Sequence, residues 1–79
     1  MLPFATNIKL LRESRGLKQS GMLNALGFKR TTWNGYESDK STPNIDDLIK
    51  IAKFFDLSES DLLHTDLSNT HDGIRYRTS

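Results

Sequence analysis

The chain lacks cysteine, a long apolar run and the apolar stretch of a signal peptide, and each absence excludes a kind of protein. It has 79 residues and no cysteine, so it can form neither a disulfide framework nor a thiolate metal site. No apolar run approaches the roughly 20 residues that a membrane-spanning helix needs. The N-terminal segment becomes charged before it builds the apolar stretch of a signal peptide. By elimination, we expect a soluble, cytoplasmic protein that forms one small domain.

The net charge of only +1 conceals an uneven distribution along the chain. Residues 1–45 hold seven Lys or Arg residues and three acidic residues, whereas residues 46–74 hold two lysines and seven acidic residues. A basic half beside an acidic half indicates that one face of the protein meets phosphate. The alternative is a chance clustering of charges on a solvated surface.

Apolar residues recur at helical spacing along most of the chain, and no segment has a strand pattern. Turn and cap signals divide this pattern into five helices: one ending at Gly16, one over about 19–26, one over about 30–38, one beginning at Asn44 and a short one beginning at Ser58. We therefore predict an all-α fold, a compact five-helix bundle over residues 1–65. A polar, flexible tail is expected over residues 66–79.

The most informative segment covers residues 19–37 and reads QSGMLNALGFKRTTWNGYE. Two short helices are expected there, joined by a tight turn at Gly27, where glycine adopts a left-handed backbone conformation without strain. Cationic and hydrogen-bonding side chains open the second of these helices. This layout is typical of a helix-turn-helix, whose second helix lies in the major groove of DNA.

Several short motifs follow one another in a fixed order between residues 6 and 64. They are residues 7–12 (NIKLLR), Gly16-Leu17, Gln19, Leu26-Gly27, residues 36–38 (YES), Lys40, Pro43, Leu48, Leu57 and residues 61–63 (DLL). In this order and at these distances they resemble the lambda-repressor-like helix-turn-helix family, the phage repressors, Cro proteins and XRE-like bacterial regulators. The resemblance implies DNA binding through the second and third helices. It also implies a homodimer on a near-palindromic, double-stranded operator.

The opening turn of the third helix carries the residues predicted to read bases, because a recognition helix enters the groove with its N-terminal residues toward the base edges. These residues are Lys29, Arg30, Thr31 and Asn34. Arg30 is the main candidate, since a guanidinium can donate two hydrogen bonds to guanine. The alternative interpretation of Arg30 is a solvated surface arginine.

A second set of residues is predicted to contact the DNA backbone: Arg12, Lys18, Gln19 and Lys40. The resemblance implies that Gln19, at the start of the second helix, lies against the backbone, where contacts set the register without reading sequence. The three cations are its electrostatic neighbours, and their alternative role is solubility. Glu37 is expected to be a structural partner of a first-helix cation such as Arg12, since phosphate would repel it.

The chain departs from the family pattern at the starts of the second and third helices. Lys18 and Gly21 replace the usual Ser or Thr cap and the Glu that follows it, and Lys29 replaces the cap of the third helix. The second helix should therefore be weakly formed on its own, since Gly inside a helix costs about 1 kcal/mol relative to Ala. Lys29 is unfavourable beside a helix N-terminus unless a DNA phosphate lies there.

Three further departures lie within or just after the motif. Leu23 replaces a small alanine, which implies a different crossing of the second and third helices or a compensating small neighbour such as Gly21. Gly35 takes a position that often carries a base-contacting side chain at the far end of the half-site, which predicts a short or degenerate operator. Asp39 stands where glycine is usual, a lesser change because aspartate tolerates turn conformations.

One alternative is a protein-interaction module of the same fold, antitoxin-like, with weak or secondary DNA binding. Gly21, Gly35 and the small net charge favour it. For a regulator, either the acidic C-terminal half or the exposed face of the fifth helix, with Leu67 and Ile74, offers a dimer contact.

An enzyme is the weakest interpretation of this sequence. A metal site can be drawn from His64, Asp66, His71 and Asp72, but no nucleophile or general base accompanies them. None of the five glycines falls in a phosphate-cradling spacing. We therefore expect no catalytic residue, no metal, no cofactor and no small-molecule substrate.

Overall fold

The computed structural model describes residues 3–67, and α-helices make up nearly all of the regular structure there. The helices are α1 (Phe4–Ser14), α2 (Gln19–Leu26), α3 (Arg30–Glu37), α4 (Ile45–Phe55) and α5 (Glu59–His64). The predicted all-α fold of five helices is confirmed. The helix-turn-helix corresponds to α2, the turn at Gly27 and α3.

Each helix contributes buried apolar side chains to one shared core. Its members are Phe4, Ile8, Leu11, Met22, Trp33, Tyr36, Leu48, Ile51, Ala52, Phe55, Leu62 and Leu67. Trp33 and Tyr36 are buried and belong to the core, not to the exposed face of α3. The ring of Phe28 stacks on Trp33, with 5.7 Å between centroids, so aromatic packing fixes α3 in the bundle.

The starts of the helices follow two different patterns. Asn44 Oδ1 accepts a hydrogen bond from the Asp47 N–H at 2.8 Å, and Ser58 Oγ accepts one from the Asp61 N–H at 3.0 Å. These are the predicted caps of α4 and α5. By contrast, α2 and α3 begin after Lys18 and Lys29, whose backbones are extended and whose side chains make no capping hydrogen bond.

The turn between α2 and α3 has the predicted left-handed residue. Gly27 has a φ of +75° and donates its N–H to the Leu23 carbonyl at 2.8 Å. Two aspartates also have positive φ, Asp39 at 64° and Asp56 at 60°. We expected Asp39 to tolerate a turn conformation. We did not foresee the left-handed conformation of Asp56, which follows the last residue of α4.

The side chain of Asn7 in α1 connects this helix to the segment that ends α5 and follows it. Asn7 is completely buried. Asn7 Nδ2 donates to the Leu62 carbonyl at 2.9 Å and to the Thr65 carbonyl at 2.7 Å, and its Oδ1 accepts from the Leu67 N–H at 3.1 Å. These hydrogen bonds hold α5 and the residues up to Leu67 against α1. They were missed in the sequence, where the signal was a polar residue on the apolar face of α1.

Leu67 is only 1% exposed and is part of the core. The packed structure therefore continues past residue 65, and the suggestion that Leu67 is free for a dimer contact is wrong. Ile74 and the rest of the predicted tail from residue 68 lie outside the described residues. None of the helices in residues 3–67 combines the length and apolar character needed to cross a membrane.

Candidate nucleic-acid interface

The carboxylate of Glu37, at the end of α3, joins α1, α2 and α3 through hydrogen bonds. It accepts from Arg12 Nε at 2.6 Å and Nη2 at 3.1 Å, from Gln19 Nε2 at 3.0 Å and from Trp33 Nε1 at 2.6 Å. The Glu37 side chain is only 4% exposed. Because its donors come from three helices, this Glu37 network holds the start of α2 against the end of α3.

The Glu37 network is also an electrostatic unit. Burial raises the pKa of the Glu37 carboxyl, but hydrogen bonds from Arg12, Gln19 and Trp33, with the Arg12 charge, outweigh burial and leave this pKa lowered. The pKa of Arg12 is raised, chiefly by its hydrogen bond to Glu37. Arg12 also donates Nη1 to the Leu17 carbonyl at 2.8 Å. The predicted pairing of Glu37 with a first-helix cation is confirmed.

An open groove runs beside this network. Its lining residues are Lys9, Arg12, Gln19, Asn34, Glu37, Ser38 and Lys40. The groove brings together four residues that the sequence analysis assigned to DNA contact, and it adds Lys9. The signal for Lys9 was its place on α1, one helical turn before Arg12 on the polar side. Neither Lys9 nor Lys40 takes part in a salt bridge within residues 3–67.

The four predicted base-reading residues lie on the exposed side of α3. Lys29 precedes the helix, Arg30 and Thr31 open it, and Asn34 follows about one turn later; all four are exposed. The buried aromatic residues of α3 occupy the other side, so packing fixes the direction in which the exposed side faces. Within the described residues Lys29 and Arg30 have no carboxylate partner. Their contact with bases stays a prediction.

Two of the four predicted backbone contacts are engaged within the protein. Arg12 is 8% exposed and directs its guanidinium at Glu37 and the Leu17 carbonyl. Gln19, which is half-buried, donates to Glu37. Both residues therefore have a structural role in addition to the predicted phosphate contact. Lys18 and Lys40 are exposed, and their contact with phosphate also stays a prediction.

The metal site drawn from the sequence can be compared with the described residues only in part. In residues 3–67 no three His, Cys, Asp or Glu side chains lie together in a way that suits a metal ion. Two members of the metal site considered above, His71 and Asp72, lie outside this range. The groove has two lysines, the two amides of Gln19 and Asn34 and the hydroxyl of Ser38, which are groups that bind phosphate oxygens and base edges.

Comparison with known proteins agrees with this geometry. The chain is 26% identical over 72 residues to the transcriptional repressor RstR of the cryptic phage CTXphi of Vibrio cholerae, an alignment that covers 91% of this chain and 65% of the repressor. It is also similar to the crystal structure of a transcriptional regulator from Listeria innocua, with a TM-score of 0.73 and 32% identity over 80% of this chain and 59% of that chain. The chain thus spans less than two thirds of either relative.

The family comparison covers most of the chain. Residues 5–67, nearly the whole of the described range, match the model of the helix-turn-helix domain family. The resemblance inferred from the short motifs is therefore confirmed. The protein belongs to the helix-turn-helix domain family.

Proposed function

We propose that the protein is a transcriptional regulator of repressor type that binds double-stranded operator DNA in a sequence-specific manner. The observation that carries this proposal is the row of exposed cationic and hydrogen-bonding side chains on one side of α3. The buried Trp33 and Tyr36 on the other side, and the Glu37 network at the end of the helix, hold that row in place. Both relatives support it, since one is named a transcriptional repressor and the other a transcriptional regulator. Such proteins are not enzymes.

In this proposal α3 enters the major groove with its N-terminal end first. Arg30 donates two hydrogen bonds to a guanine, and Asn34 pairs with an adenine one turn later. Thr31 contacts a thymine methyl group or a phosphate. Lys29, which is unfavourable beside the helix N-terminus in the free protein, gains a phosphate partner on binding.

Phosphate contacts set the orientation of the protein on the duplex. Lys9 and Lys40 approach the backbone from the groove, and Lys18 does so from the start of α2. The uncapped N–H groups of α2 and α3 are further donors for phosphate oxygens. Gln19 contacts the same DNA strand as Lys18, and its hydrogen bond to Glu37 fixes its side chain.

We further propose that two copies bind together, each reading half of a near-palindromic operator. One helix-turn-helix reads only a few base pairs, so a second copy is the usual way to gain affinity and specificity. Leu67 is excluded from the dimer contact because it is buried. As a regulator of transcription, the protein would act in the bacterial cytoplasm.

The test is selection of bound duplexes from a random library, followed by anisotropy titration of the selected and a scrambled duplex with Arg30→Ala. We expect this variant to lose discrimination between the two duplexes by about tenfold or more, as one bidentate base contact implies, while retaining weak, salt-sensitive binding. Lys53→Ala is the matched control, because it removes an exposed cation from α4. Full discrimination by the Arg30 variant would show that Arg30 does not read bases.

A further inference from the structure

Gly35 lies on the side of α3 that faces the loop between α3 and α4. A Cβ atom at this position would lie 2.6 Å from Ser41 Oγ and 3.8 Å from Ser41 Cβ. The Gly35 carbonyl also accepts the N–H groups of Lys40 at 3.0 Å and Ser41 at 3.2 Å. The loop is therefore docked directly on α3 at a position that has no side chain.

This docking has a consequence for the groove. The backbone N–H of Lys40 donates a hydrogen bond to the Gly35 carbonyl, and the Lys40 side chain lines the groove together with Lys9 and Asn34. Any side chain at position 35 would have to displace the Ser41 Oγ atom, whereas Ser41 Cβ lies at an ordinary contact distance. A long side chain at position 35 therefore competes with Ser41 for the place where the loop meets α3.

We propose that Gly35 is a positioning residue for DNA binding, which lets the loop dock on α3 so that Lys40 is held at the DNA backbone. The half-site is then read by the first turn of α3 and Asn34, and the contact that a side chain at position 35 would make to a base is replaced by a phosphate contact from Lys40. This inference rests on the proposed function.

A second glycine provides the matched control. Gly21 also lies inside a helix, but a Cβ there would lie 3.7 Å from Leu17 Cδ2, which is an ordinary packing distance. If Gly35 matters only as a flexible residue in a helix, alanine at either position should have the same effect. If it matters through the loop, only changes at position 35 should move Lys40 and Ser41.

The first measurement is amide hydrogen exchange without DNA, on the full chain. In Gly35→Leu we expect the Lys40 and Ser41 amides to exchange about tenfold faster or more, while the amides of α4 are unchanged. Gly35→Ala should give a smaller change, and Gly35→Ala with Ser41→Ala should reverse it, because the Oγ atom at 2.6 Å is then absent. Gly21→Ala should leave both amides as in the parent protein.

The second measurement is the salt dependence of binding to the selected duplex. Lys40→Ala should lower the slope of log affinity against log salt by about one, and Gly35→Leu should lower it by the same amount. The double variant should show no further loss. If Gly35→Leu does not fold, Gly35→Ala with and without Ser41→Ala gives the same comparison on a smaller scale.

The outcomes separate the two proposals. An unchanged salt slope in Gly35→Leu, or an equal further loss in the Lys40→Ala background, would overturn the positioning role and leave the proposed function intact. Unchanged exchange of the Lys40 and Ser41 amides would do the same. Failure of the parent protein to select any duplex would overturn the proposed function, and the role of Lys40 with it.

Discussion

The two halves of the bundle are stabilised by different means. In the supporting half, α4 and α5 each begin at a side-chain cap, Asn44 and Ser58, and each has acidic residues in its first turn. In the motif half, α2 and α3 begin after Lys18 and Lys29, without a side-chain cap or an acidic first turn. Local sequence thus specifies the supporting half far more strongly than the helix-turn-helix.

The motif half obtains its stability from contacts between helices. Glu37 binds side chains of three helices, and Trp33 and Tyr36 anchor α3 in the core. An acidic first turn would place negative charge where a phosphate has to approach, whereas Lys18 and Lys29 place positive charge there. The comparison shows that the helices proposed to bind DNA lack local stabilisation at their starts, and that the buried Arg12–Glu37 ion pair beside the groove holds them in place instead.

The strongest way to break this arrangement is Glu37→Gln. The change keeps the shape but leaves Arg12 buried without its charge partner, so we expect a loss of about 3–5 kcal/mol of unfolding free energy. Urea denaturation followed by circular dichroism measures it. Glu13→Gln is the matched control, since Glu13 lies 3.9 Å from Arg12 Nη2 but is 57% exposed. Its loss should be about 0.5 kcal/mol or less, and equal losses in the two variants would contradict the account.

Low pH should also lower the free energy of unfolding by protonating Glu37, but to a smaller extent than Glu37→Gln does. The pKa of Glu37 is lowered in the folded protein, so its contribution to stability is present above the unfolded carboxyl pKa of about 4.3 and is lost as pH falls through the folded pKa. We expect unfolding free energy to fall below about pH 4 with a steeper slope in the parent than in Glu37→Gln. Superimposable pH profiles would show that Glu37 does not carry this dependence.

Removal of a cap tests the supporting half. Asn44→Ala deletes the acceptor of the Asp47 N–H, and we expect a loss of about 1 kcal/mol with little change in DNA affinity. Lys53→Ala, at the other end of the same helix, should change stability less. Thermal unfolding and anisotropy on the same samples give both quantities. A large loss of DNA binding at full folding would mean that the two halves are not separable.

Addition of a cap to the motif half should have the smallest effect on stability, and of opposite sign. Lys29→Ser supplies a side-chain acceptor at the start of α3 and removes a cation there, so we expect a gain of about 0.5 kcal/mol. We also expect the salt slope of DNA binding to fall by about one. A variant that is both more stable and equally salt-sensitive would show that Lys29 makes no phosphate contact.

The features that sequence patterns predicted correctly are local ones. The helices, the left-handed Gly27 and the caps at Asn44 and Ser58 depend on residues within one or two turns of each other. The pairing of Arg12 with Glu37 is a non-local exception, with the partners 25 residues apart in the sequence. It was predicted because DNA phosphate would repel the Glu37 carboxylate, which therefore needed a cation within the protein.

The features that were missed depend on residues that are distant in sequence. Asn7 binds carbonyls 55 and 58 residues away, and such a pairing has no local signature. The burial of Leu67 follows from that same network. The docking of the loop on Gly35 is also invisible in the sequence, since a glycine inside a helix reads first as a local cost.

The measurement that tests the central claim most directly is the salt dependence of binding to the selected duplex, compared with a scrambled duplex of equal length. The account predicts an enriched, two-fold symmetric site and an affinity that falls steeply with salt for both duplexes, with discrimination kept at each salt concentration. A protein with the expected helical circular dichroism spectrum that enriches no duplex would contradict it. That result would favour the protein-interaction module instead.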